Sequence, residues 1–548
     1  MPEYQMITIP VEWRKWAVLV ATIWIQAFSG TNFDFPSYSS QVKSVLEITQ
    51  VQLNYLSMAS DFGKLFGWCS GVLLLYLPTW IVLFMAAFLG LFGYGLQWLL
   101  IQRLVSLPYV AVFVLCLSAG CSITWLNTIS FVLCIKNFPN DWQVAVSLAV
   151  SFNGLTPSLY NLIVTNITSH DTNSPYLILN AVLPFIISIL ALIPITQQKD
   201  LKVHEKNDTS TFVFLYILAT ITGLYLFVLD TPSQNIYVVA ILLLLPLLSP
   251  KLVQLVVRYQ MIGALGEGPN YNLVEMNNYE EGSNENKLCG GSVFDKMIEK
   301  DQIRLLGEEH SAKLLVTRID FWLYYVAYFC GGTIGLVYSN NLGQISQSFG
   351  YVYKTEALVT IYSTCSFFGR LVSAVPDLVG CFSLCETYTK WHTTRTGWLA
   401  FSLMPMPIAF LLLIISRGER SLSVATGLIG VSSGFIFSAA VSITSELFGP
   451  KSSGINHNIL ITNIPLGSFL YGIIGGVVYD NHIKSSRLNV CMGQKCYNET
   501  FGWWGCFCVL GLASSYLLFL RTKAAYQEYY LSQRKQILLY DISKELLI

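Results

Sequence analysis

Long runs of apolar residues alternate with short polar segments along this 548-residue chain. Each run is about 20 residues long, which is the length that an α-helix needs to cross the ~30 Å hydrocarbon core of a bilayer. The runs fall near 16–36, 51–77, 79–101, 108–135, 142–168, 175–195, 211–229, 234–256, 318–340, 354–379, 396–416, 421–446, 454–479 and 501–521. The pattern predicts an all-α polytopic membrane protein with about fourteen spans, grouped as six, two and six.

The polar segments divide the predicted protein into five parts. These are an N-terminal six-helix bundle (1–200), two additional transmembrane helices (201–257), a flexible cytoplasmic linker (258–317), a C-terminal six-helix bundle (318–525) and a cytoplasmic tail (526–548). The linker is rich in Gly, Asn and Glu and cannot bury a core, which favours a passive tether over a regulatory element. Its latter part, FDKMIEKDQIRLLGEEHSAKLL, has the pattern of a short amphipathic helix on the inner face.

Composition supports this class and excludes others. Hydrophobic residues make up 53% of the chain and charged residues only 12%, whereas soluble domains are about 25% charged. A formal net charge of zero without a strong basic tract gives no indication of nucleic-acid binding. The six histidines are scattered, and no P-loop or HExxH motif occurs. We therefore expect no enzyme activity, no metal site and no cofactor, with proton coupling left open.

The distribution of Lys and Arg predicts the orientation. These residues are more frequent in the predicted loops on the side of the N-terminus, which places both termini in the cytoplasm. Cys491 and Cys496 then lie in the last outer loop, where an oxidising compartment would allow a disulfide. Asn498 begins a glycosylation sequon in the same loop. Plasma membrane and endomembrane both remain open.

Charged residues occur near the middle of two predicted spans. Asp61 and Lys64 lie in NYLSMASDFGKLFGWCSG, and Arg370 lies in TCSFFGRLVSAVPD of the C-terminal half. Gly369 precedes Arg370 as Gly63 precedes Lys64. A charged side chain at the centre of a transmembrane helix costs about 2.5–3.5 kcal/mol on insertion scales and marks a functional site by default. We therefore interpret Lys64 and Arg370 as candidates for binding a substrate near the midplane.

Two interpretations of these charges stay open. Asp61 and Lys64 are three positions apart, share a helix face and can form a structural ion pair. The nearest acid to Arg370 on its own helix and face is Asp377, two turns away, so the midplane carries one surplus positive charge. That surplus favours either an anionic substrate held by the guanidinium or a partner carboxylate on another helix.

Other polar side chains in the apolar helices complete the candidate site. The candidates for substrate binding or coupling are Lys64, Arg370, Asp61, Asn32, Asp34, Trp125, Asn127, Asn153 and Asn463. The candidates for an inner gate are Asp377 and Glu446. Asp34 or Glu446 could also provide the partner carboxylate for Arg370 or carry a proton. Buried amides also bridge helices through hydrogen bonds, so a structural role stays open for each one.

The two six-helix groups share features at matching places, which indicates an internal repeat. Phe138 follows the fourth span and Phe448 follows the corresponding span of the other half, each with a proline shortly after it. Fifteen residues beyond each phenylalanine stands an asparagine, Asn153 or Asn463. A duplicated bundle predicts a polar cavity between the halves, opened to either side in turn as one half rocks against the other.

Several segments resemble a known family. IWIQAFSGTNFDFPSYSSQVKS and QVQLNYLSMASDFGKLFGWCSG resemble the opening of the plant nodulin-like, nuclear-fusion-defective-like branch of the major facilitator superfamily. TRTGWLAFSLMPMPIAF and SSGFIFSAAVSITSELFGPKSSGINHNIL resemble its C-terminal half. The resemblance covers nearly the whole chain and is weakest in the linker. It implies a twelve-helix core, here with two additional helices, and a transport role.

A more distant resemblance concerns the region of Arg370. FGRLVSAVPD is similar to the GRxxxGxxxD pattern of monocarboxylate and oxalate–formate carriers, which implies that Arg370 helps to bind a carboxylate. Ser366 replaces the acid that monocarboxylate carriers have one turn before this arginine, and Gly71 replaces the corresponding acid of the N-terminal half. These differences argue against proton coupling through an Asp–Arg pair of that kind.

Together these features predict an alternating-access secondary transporter of a small solute, an organic anion such as a monocarboxylate. Lys64 and Arg370 would bind it, and Asp61 would balance charge or carry a coupled proton. One alternative is a non-transporting membrane receptor or scaffold that signals through the linker. Another is a carrier of a neutral or cationic solute, with the midplane charges paired internally. The expected partners are the substrate and the lipid bilayer.

Overall fold

The computed structural model describes most of the predicted spans. The described residues are 11–139, 141–167, 175–196, 208–228, 235–248, 251, 302–303, 305–375, 394–416, 418–450, 452–484 and 491–545. Regular secondary structure within these ranges is helical. The architecture therefore agrees with the predicted all-α class.

In the N-terminal half, the helices are α1 (Val11–Ser29), α2 (Phe35–Leu46), α3 (Gln50–Gly63), α4 (Gly67–Tyr76), α5 (Thr79–Ile101), α6 (Tyr109–Asn137), α7 (Trp142–Ser151), α8 (Thr156–Ile167) and α9 (Pro175–Thr196). Short 3-10 turns at Thr31–Asp34, Lys64–Phe66 and Phe152–Leu155 join consecutive helices of this half. The second predicted span begins with a capping box, in which Thr49 and Gln52 satisfy each other's backbone N–H groups.

Two further helices, α10 (Thr209–Val228) and α11 (Ile236–Leu244), precede the C-terminal half. That half contains α12 (Ala312–Leu315), α13 (Ile319–Tyr328), α14 (Ile334–Asn340), α15 (Leu342–Ser348), α16 (Thr355–Val372), α17 (Arg395–Leu403), α18 (Pro405–Ile415), α19 (Glu419–Phe448), α20 (Ser453–Ile461), α21 (Asn463–Lys484) and α22 (Asn498–Glu545). A π-helical turn, Phe329–Thr333, joins α13 to α14.

Nine helical segments of the described part are long and apolar enough to cross a membrane. They are Thr79–Ile101, Tyr109–Asn137, Pro175–Thr196, Ser210–Val228, Ile319–Asn340, Arg395–Ile415, Glu419–Phe448, Ser453–Ile483 and Asn498–Tyr529. The multi-pass class follows from these segments, while the count of fourteen spans stays a prediction. The last helix continues to Glu545, so most of the predicted tail 526–548 is helical where it is described.

The predicted repeat is visible in matching contacts of the two halves. Asn153 donates from Nδ2 to Ser29 Oγ at 3.3 Å in the N-terminal half. In the C-terminal half, Thr333 Oγ1 donates to Asn463 Oδ1 at 3.1 Å. Each bond joins the first membrane span of its bundle to the fifth span of the same bundle. The two asparagines that the sequence places at equivalent positions therefore have equivalent partners.

Several hydrogen bonds join the halves on the side of the midplane that faces away from the start of α1. We call the face at which α1 begins the near face and the opposite face the far face. Four pairs lie between the midplane and the far face: Gln344 Nε2 to Ser39 Oγ at 3.2 Å, Asn54 Nδ2 to Gly472 O at 2.9 Å, Val51 N to Asp480 Oδ2 at 3.3 Å, and Ser158 Oγ to Thr364 Oγ1 at 3.1 Å. These bonds hold the two bundles together at the far face.

The additional helices pack against both halves. Tyr216 of α10 donates to Val144 O of α7 at 3.1 Å. On the same helix, a Cβ added at Gly223 would lie 2.3 Å from the ring of Phe367 in α16. Trp24 of α1 donates to Leu243 O of α11 at 2.8 Å. The extra pair thus lies beside the seam between the bundles.

The end of the predicted flexible linker is packed where it is described. Gly307 N donates to Glu446 O at 2.7 Å, and Asn456 Nδ2 donates to His310 O at 3.0 Å. Glu309 accepts from the Ser452 hydroxyl at 2.7 Å. These bonds attach residues 305–316 to the near-face ends of α19 and α20, with a helix only at Ala312–Leu315 among the described residues. Residues 258–301 lie outside the described residues.

Candidate functional site

The first charged pair lies where the second span changes from α-helix to 3-10 turn. Lys64 Nζ is 2.6 Å from Asp61 Oδ1, and the two side chains are 10% and 2% exposed. The i, i+3 spacing brings them together on one helix face, as the ion-pair interpretation expects. Asp61 Oδ2 also accepts a hydrogen bond from Ser468 of α21. The pair therefore neutralises itself locally and at the same time connects the two halves.

Breaking this pair should destabilise the fold. Asp61→Asn leaves the Lys64 ammonium without its countercharge, at a cost of about 1–3 kcal/mol. Asp61→Asn combined with Lys64→Gln should recover most of the loss, because no unpaired charge remains. Thermal unfolding of the purified protein measures the effect, with Lys354→Gln as a control at an exposed ion pair with Glu419. A double variant no more stable than Asp61→Asn would contradict this account.

Arg370, at the corresponding place in α16, has a different environment. Its side chain is 3% exposed, and Nη1 donates to Val150 O at 2.9 Å and to Asn153 Oδ1 at 3.0 Å. Both acceptors are neutral oxygens of the other half. Nε has no hydrogen-bond partner among the described residues. The guanidinium charge is therefore buried at the interface without a carboxylate partner in the part of the chain that the structure describes.

Aromatic rings cover the faces of this guanidinium. The Phe33 ring of the 3-10 turn after α1 lies 5.4 Å from Arg370 Cζ, and the Phe437 ring of α19 lies 5.9 Å from it. Such cation–π contacts compensate part of the desolvation of a buried cation. Phe33 also packs against Tyr362, with ring centroids 6.1 Å apart. Arg370 thus lies between the halves, with one ring from each half beside it.

A small cavity lies next to this region on the far side of Asp61. Its volume is about 20 Å³, enough space for roughly one water molecule. Its lining includes Asn32, Phe35, Tyr38, Ser57, Ser60, Asp61, Tyr94, Gln97, Cys116 and, from the C-terminal half, Asn340. The cavity is lined by polar and apolar side chains and bordered by both halves, but it is too small for an organic solute in this conformation.

Asp34 is, like Asn463, a fully buried member of the predicted site. Its side chain is 0% exposed, and neither carboxyl oxygen has a hydrogen-bond partner among the described residues. The structure does not place it in an ion pair with Arg370, so the expectation that it is that residue's partner carboxylate is not met. Phe33, the preceding residue, faces Arg370 instead.

The remaining polar candidates have separate environments. Trp125 donates from Nε1 to Phe66 O at 3.0 Å, which ties α6 to the second span. Asn127 is half-buried, and its Oδ1 has no partner in the described part of the chain. Asn32 lines the small cavity. Asn463 bonds Thr333 within its own bundle. The structure brings together Arg370 with Asn153 and Asp61 with Lys64, but it does not join all candidates into one site.

The proposed inner gate has one member that the structure describes. Glu446 Oε1 is 2.5 Å from Arg395 Nε, and Oε2 accepts from the Tyr526 hydroxyl at 2.8 Å. This network ties α19, α17 and α22 together inside the C-terminal bundle. Glu446 therefore pairs neither with Arg370 nor, through these bonds, with the other half. Asp377, the second gate candidate, lies outside the described residues.

At the far face, the loop before α22 has the features that the sequence indicates. Cys491 and Cys496 are joined by a disulfide, with Cα atoms 5.9 Å apart. Asn498, the first residue of α22, is exposed. Gly493 N donates to Ser348 O at 2.8 Å, which attaches the loop to the end of α15.

Sequence reasoning missed several residues of this region. Ser468, Phe33 and Phe437 touch the charged side chains, yet nothing in their local sequence distinguishes them from neighbouring helix residues. Ser468 had one usable signal. It stands five residues after Asn463, as Ser158 stands five after Asn153, and Ser158 also contacts the opposite half.

Comparisons with known proteins agree with this architecture. Residues 15–255 match the Nodulin-like family model, and residues 305–528 match the model of the NFD4 C-terminal domain. Protein NUCLEAR FUSION DEFECTIVE 4 of Arabidopsis thaliana is 48% identical over 536 residues, covering 94% of this chain and 90% of that protein. This chain belongs to the nodulin-like NUCLEAR FUSION DEFECTIVE 4 family. The resemblance stated from the sequence is thereby confirmed.

More distant relatives of this nodulin-like chain carry transporter names. Probable transporter MCH1 of Gibberella zeae is 20% identical over 211 residues, covering 33% of this chain and 37% of that protein. A bacterial homologue of the human lysosomal transporter Spinster, solved inward-facing, has a TM-score of 0.52 at 9% identity and covers 95% of this chain and 99% of that chain. The xylose transporter XylE from E. coli has a TM-score of 0.53 at 10% identity, with coverages of 91% and 98%. The nodulin-like chain therefore has the fold of major facilitator superfamily transporters.

Proposed function

We propose that this nodulin-like protein is an alternating-access secondary transporter of a small organic anion such as a monocarboxylate, with Arg370 as the anion anchor. The observation that carries the proposal is the buried guanidinium between the halves, which donates only to neutral oxygens in its observed bonds. A buried cation without a countercharge is costly, and a mobile anion supplies that charge when it binds. A guanidinium also matches the geometry of a carboxylate.

The present acceptors of Arg370 suggest how binding could move the halves. Val150 O and Asn153 Oδ1 belong to the N-terminal half, whereas Arg370 belongs to the C-terminal half. A substrate carboxylate that accepts hydrogen bonds from Arg370 in place of these two oxygens would break this connection between the bundles. The anion would therefore bind more tightly to a conformation in which the halves have separated at this level. Such differential binding is what shifts a conformational equilibrium.

Lys64 has a secondary role in this proposal. Its ammonium is engaged by Asp61, so the pair contributes no net charge in this conformation. An anion near the midplane would meet Arg370 first and Lys64 only after Asp61 turns away or takes up a proton. This departs from the expectation that Lys64 binds the substrate together with Arg370. It leaves the Asp61–Lys64 pair as a connection between α3 and α21 through Ser468.

The contacts between the halves fit a conformation closed at the far face. With both termini in the cytoplasm, as the sequence predicts, the far face points to the lumen or the outside of the cell. Opening that side requires loss of the Gln344–Ser39 and Asn54–Gly472 bonds. Weak polar bonds of this kind can break and reform during a transport cycle at modest cost.

Counterflow in proteoliposomes tests the proposal. Vesicles loaded with one unlabelled solute are challenged with its labelled form, using monocarboxylates, dicarboxylates, neutral sugars and amines in parallel. Exchange of a carboxylate, lost in Arg370→Gln, is the expected result. Exchange of only neutral or cationic solutes would favour the carrier with internally paired charges. No exchange of any class would favour a receptor or scaffold built on the transporter fold.

A further inference from the structure

The carboxyl group of Asp34 lies inside the N-terminal bundle, and no hydrogen bond among the described residues gives it a structural role. Asp34 ends the 3-10 turn Thr31–Asp34, which interrupts the first span between α1 and α2. It is fully buried, and both oxygens lack hydrogen-bond partners in the described part of the chain. Irregular backbone at membrane depth is tolerated where it is buried in protein or borders a cavity. This segment is therefore a candidate binding site in its own right.

Among the described residues, four tyrosines interact electrostatically with Asp34. They are Tyr38 of α2, Tyr94 of α5, Tyr160 of α8 and Tyr176 of α9. Three of their hydroxyls are engaged elsewhere: Tyr94 with Thr31 Oγ1 at 2.8 Å, Tyr160 with Phe28 O at 2.9 Å and Tyr176 with Asn161 Oδ1 at 3.4 Å. Among the described residues no cation pairs with Asp34. A proton can satisfy a carboxylate in this place, because it needs no further ligands.

We propose that Asp34 binds a proton and that this proton is cotransported with the anion; the coupling rests on the proposed function. An unpaired carboxylate in an apolar interior is so costly that it takes up a proton instead. On proton binding, one O–H bond forms on a carboxyl oxygen, and the proton comes from water on the far side. On release to the near side the same bond breaks, and no oxidant or further reactant takes part.

The 3-10 turn Thr31–Asp34 also borders Arg370, the proposed anion anchor. Phe33 lies over Arg370, and Asp34 is the next residue, so a shift of the turn that uncovers the guanidinium also moves the carboxyl. The segment is held from the C-terminal half as well. A Cβ on Gly343 would lie 3.0 Å from Pro36 O, and Gln344 donates to Ser39. Opening of the far face would release these contacts and give water access to Asp34.

A route for the proton lies on the same side. Tyr38 and Tyr94, two of the tyrosines around Asp34, also line the small cavity that reaches Asp61. Space for roughly one water there is enough for a short hydrogen-bonded connection. The cavity also contains Asn340 of the C-terminal half in its lining, so its size depends on the relative position of the halves. Proton access is thereby tied to the conformation that the anion selects.

Transport measurements with Asp34→Asn test the proposal. This variant keeps the shape of the protonated carboxyl but cannot release a proton. A pH gradient should drive accumulation of the anion by the wild type, and the variant should lose that accumulation while it retains exchange at equal pH. Asp208→Asn, which removes a carboxylate paired with Lys15 near the start of α10, is the matched control and should accumulate anion as the wild type does.

Two readouts separate this proposal from its alternatives. Anion entry into vesicles that contain the wild type should be accompanied by proton entry, recorded with a trapped pH dye. This measurement needs only the wild type, so it remains valid if Asp34→Asn folds poorly. Infrared difference spectra, wild type minus Asp34→Asn without any anion, should contain a protonated carboxyl band. The assignment of Asp34 is overturned by any of three results. These are anion exchange by the wild type without proton entry, a parallel loss of exchange and accumulation in Asp34→Asn, and absence of the carboxyl band. Absence of all anion exchange in the wild type instead overturns the proposed function.

Discussion

Replacing Arg370 with alanine should remove anion binding without a matching loss of stability. Truncating one partner of a buried, hydrogen-bonded charge pair costs about 3 kcal/mol or more, which is roughly a hundredfold in affinity. The empty protein loses two hydrogen bonds to Val150 and Asn153, but it is also relieved of a buried cation that lacks a countercharge. Arg370→Gln keeps a donor for Asn153 and should separate these effects. Anion-dependent thermal stabilisation reports affinity, because ligand binding raises apparent stability.

Arg395 provides the matched control for this prediction. It is as buried as Arg370, at 3% exposure, and it lies in the same half, but it is paired with Glu446. Arg395→Gln removes the positive charge that pairs with Glu446 and should lower the apparent Tm, with little change in anion affinity. If Arg370→Gln instead behaves as Arg395→Gln does, Arg370 is a structural residue. The carrier of neutral or cationic solutes then becomes the better hypothesis.

Local spacing predicted one part of this site correctly. The three-residue separation of Asp61 and Lys64 is sufficient for an ion pair, because an α-helix turn places both side chains on one face. The repeat predicted another part. Asn153 and Asn463 were identified as equivalent from their distance to a Phe-Pro signal, and each contacts the first helix of its own bundle. Both predictions depend on regular geometry, either within one helix or between two copies of one bundle.

The partners of Arg370 and Glu446 could not be predicted in this way. A helix that is apolar around its whole circumference has no polar face from which its rotation about its own axis could be inferred. The sequence therefore does not tell which face of the first span points to α16, and it offered Asp34 where the structure places Phe33. Glu446 pairs with Arg395, 51 residues earlier in the chain. Charge alone cannot distinguish that partner from Arg370.

The second large prediction concerns Gly63, which precedes Lys64. An added Cβ at this position would lie 2.1 Å from Leu117 O and 2.7 Å from Cys121 N of α6. Both are backbone atoms, so relief requires the two helices to separate. Gly63→Ala should therefore cost about 3 kcal/mol or more, at the upper end of overpacking effects. We expect little folded protein by fluorescence-detected size exclusion. Gly369→Ala should behave alike, because its Cβ would lie 2.1 Å from Val431 O of α19.

Gly71 provides a matched comparison, because it follows Gly63 and Gly67 at the same four-residue spacing and lies inside α4. A Cβ added there meets no heavy atom within 4 Å. Alanine is favoured over glycine in a helix interior by about 1 kcal/mol, so Gly71→Ala should leave the yield unchanged or raise the Tm slightly. Gly63→Ala and Gly71→Ala are the same chemical change, but their effects on stability should have opposite signs. Equal tolerance of both would mean that α3 and α6 are not in the close contact that positions Asp61 and Lys64 at the interface between the halves.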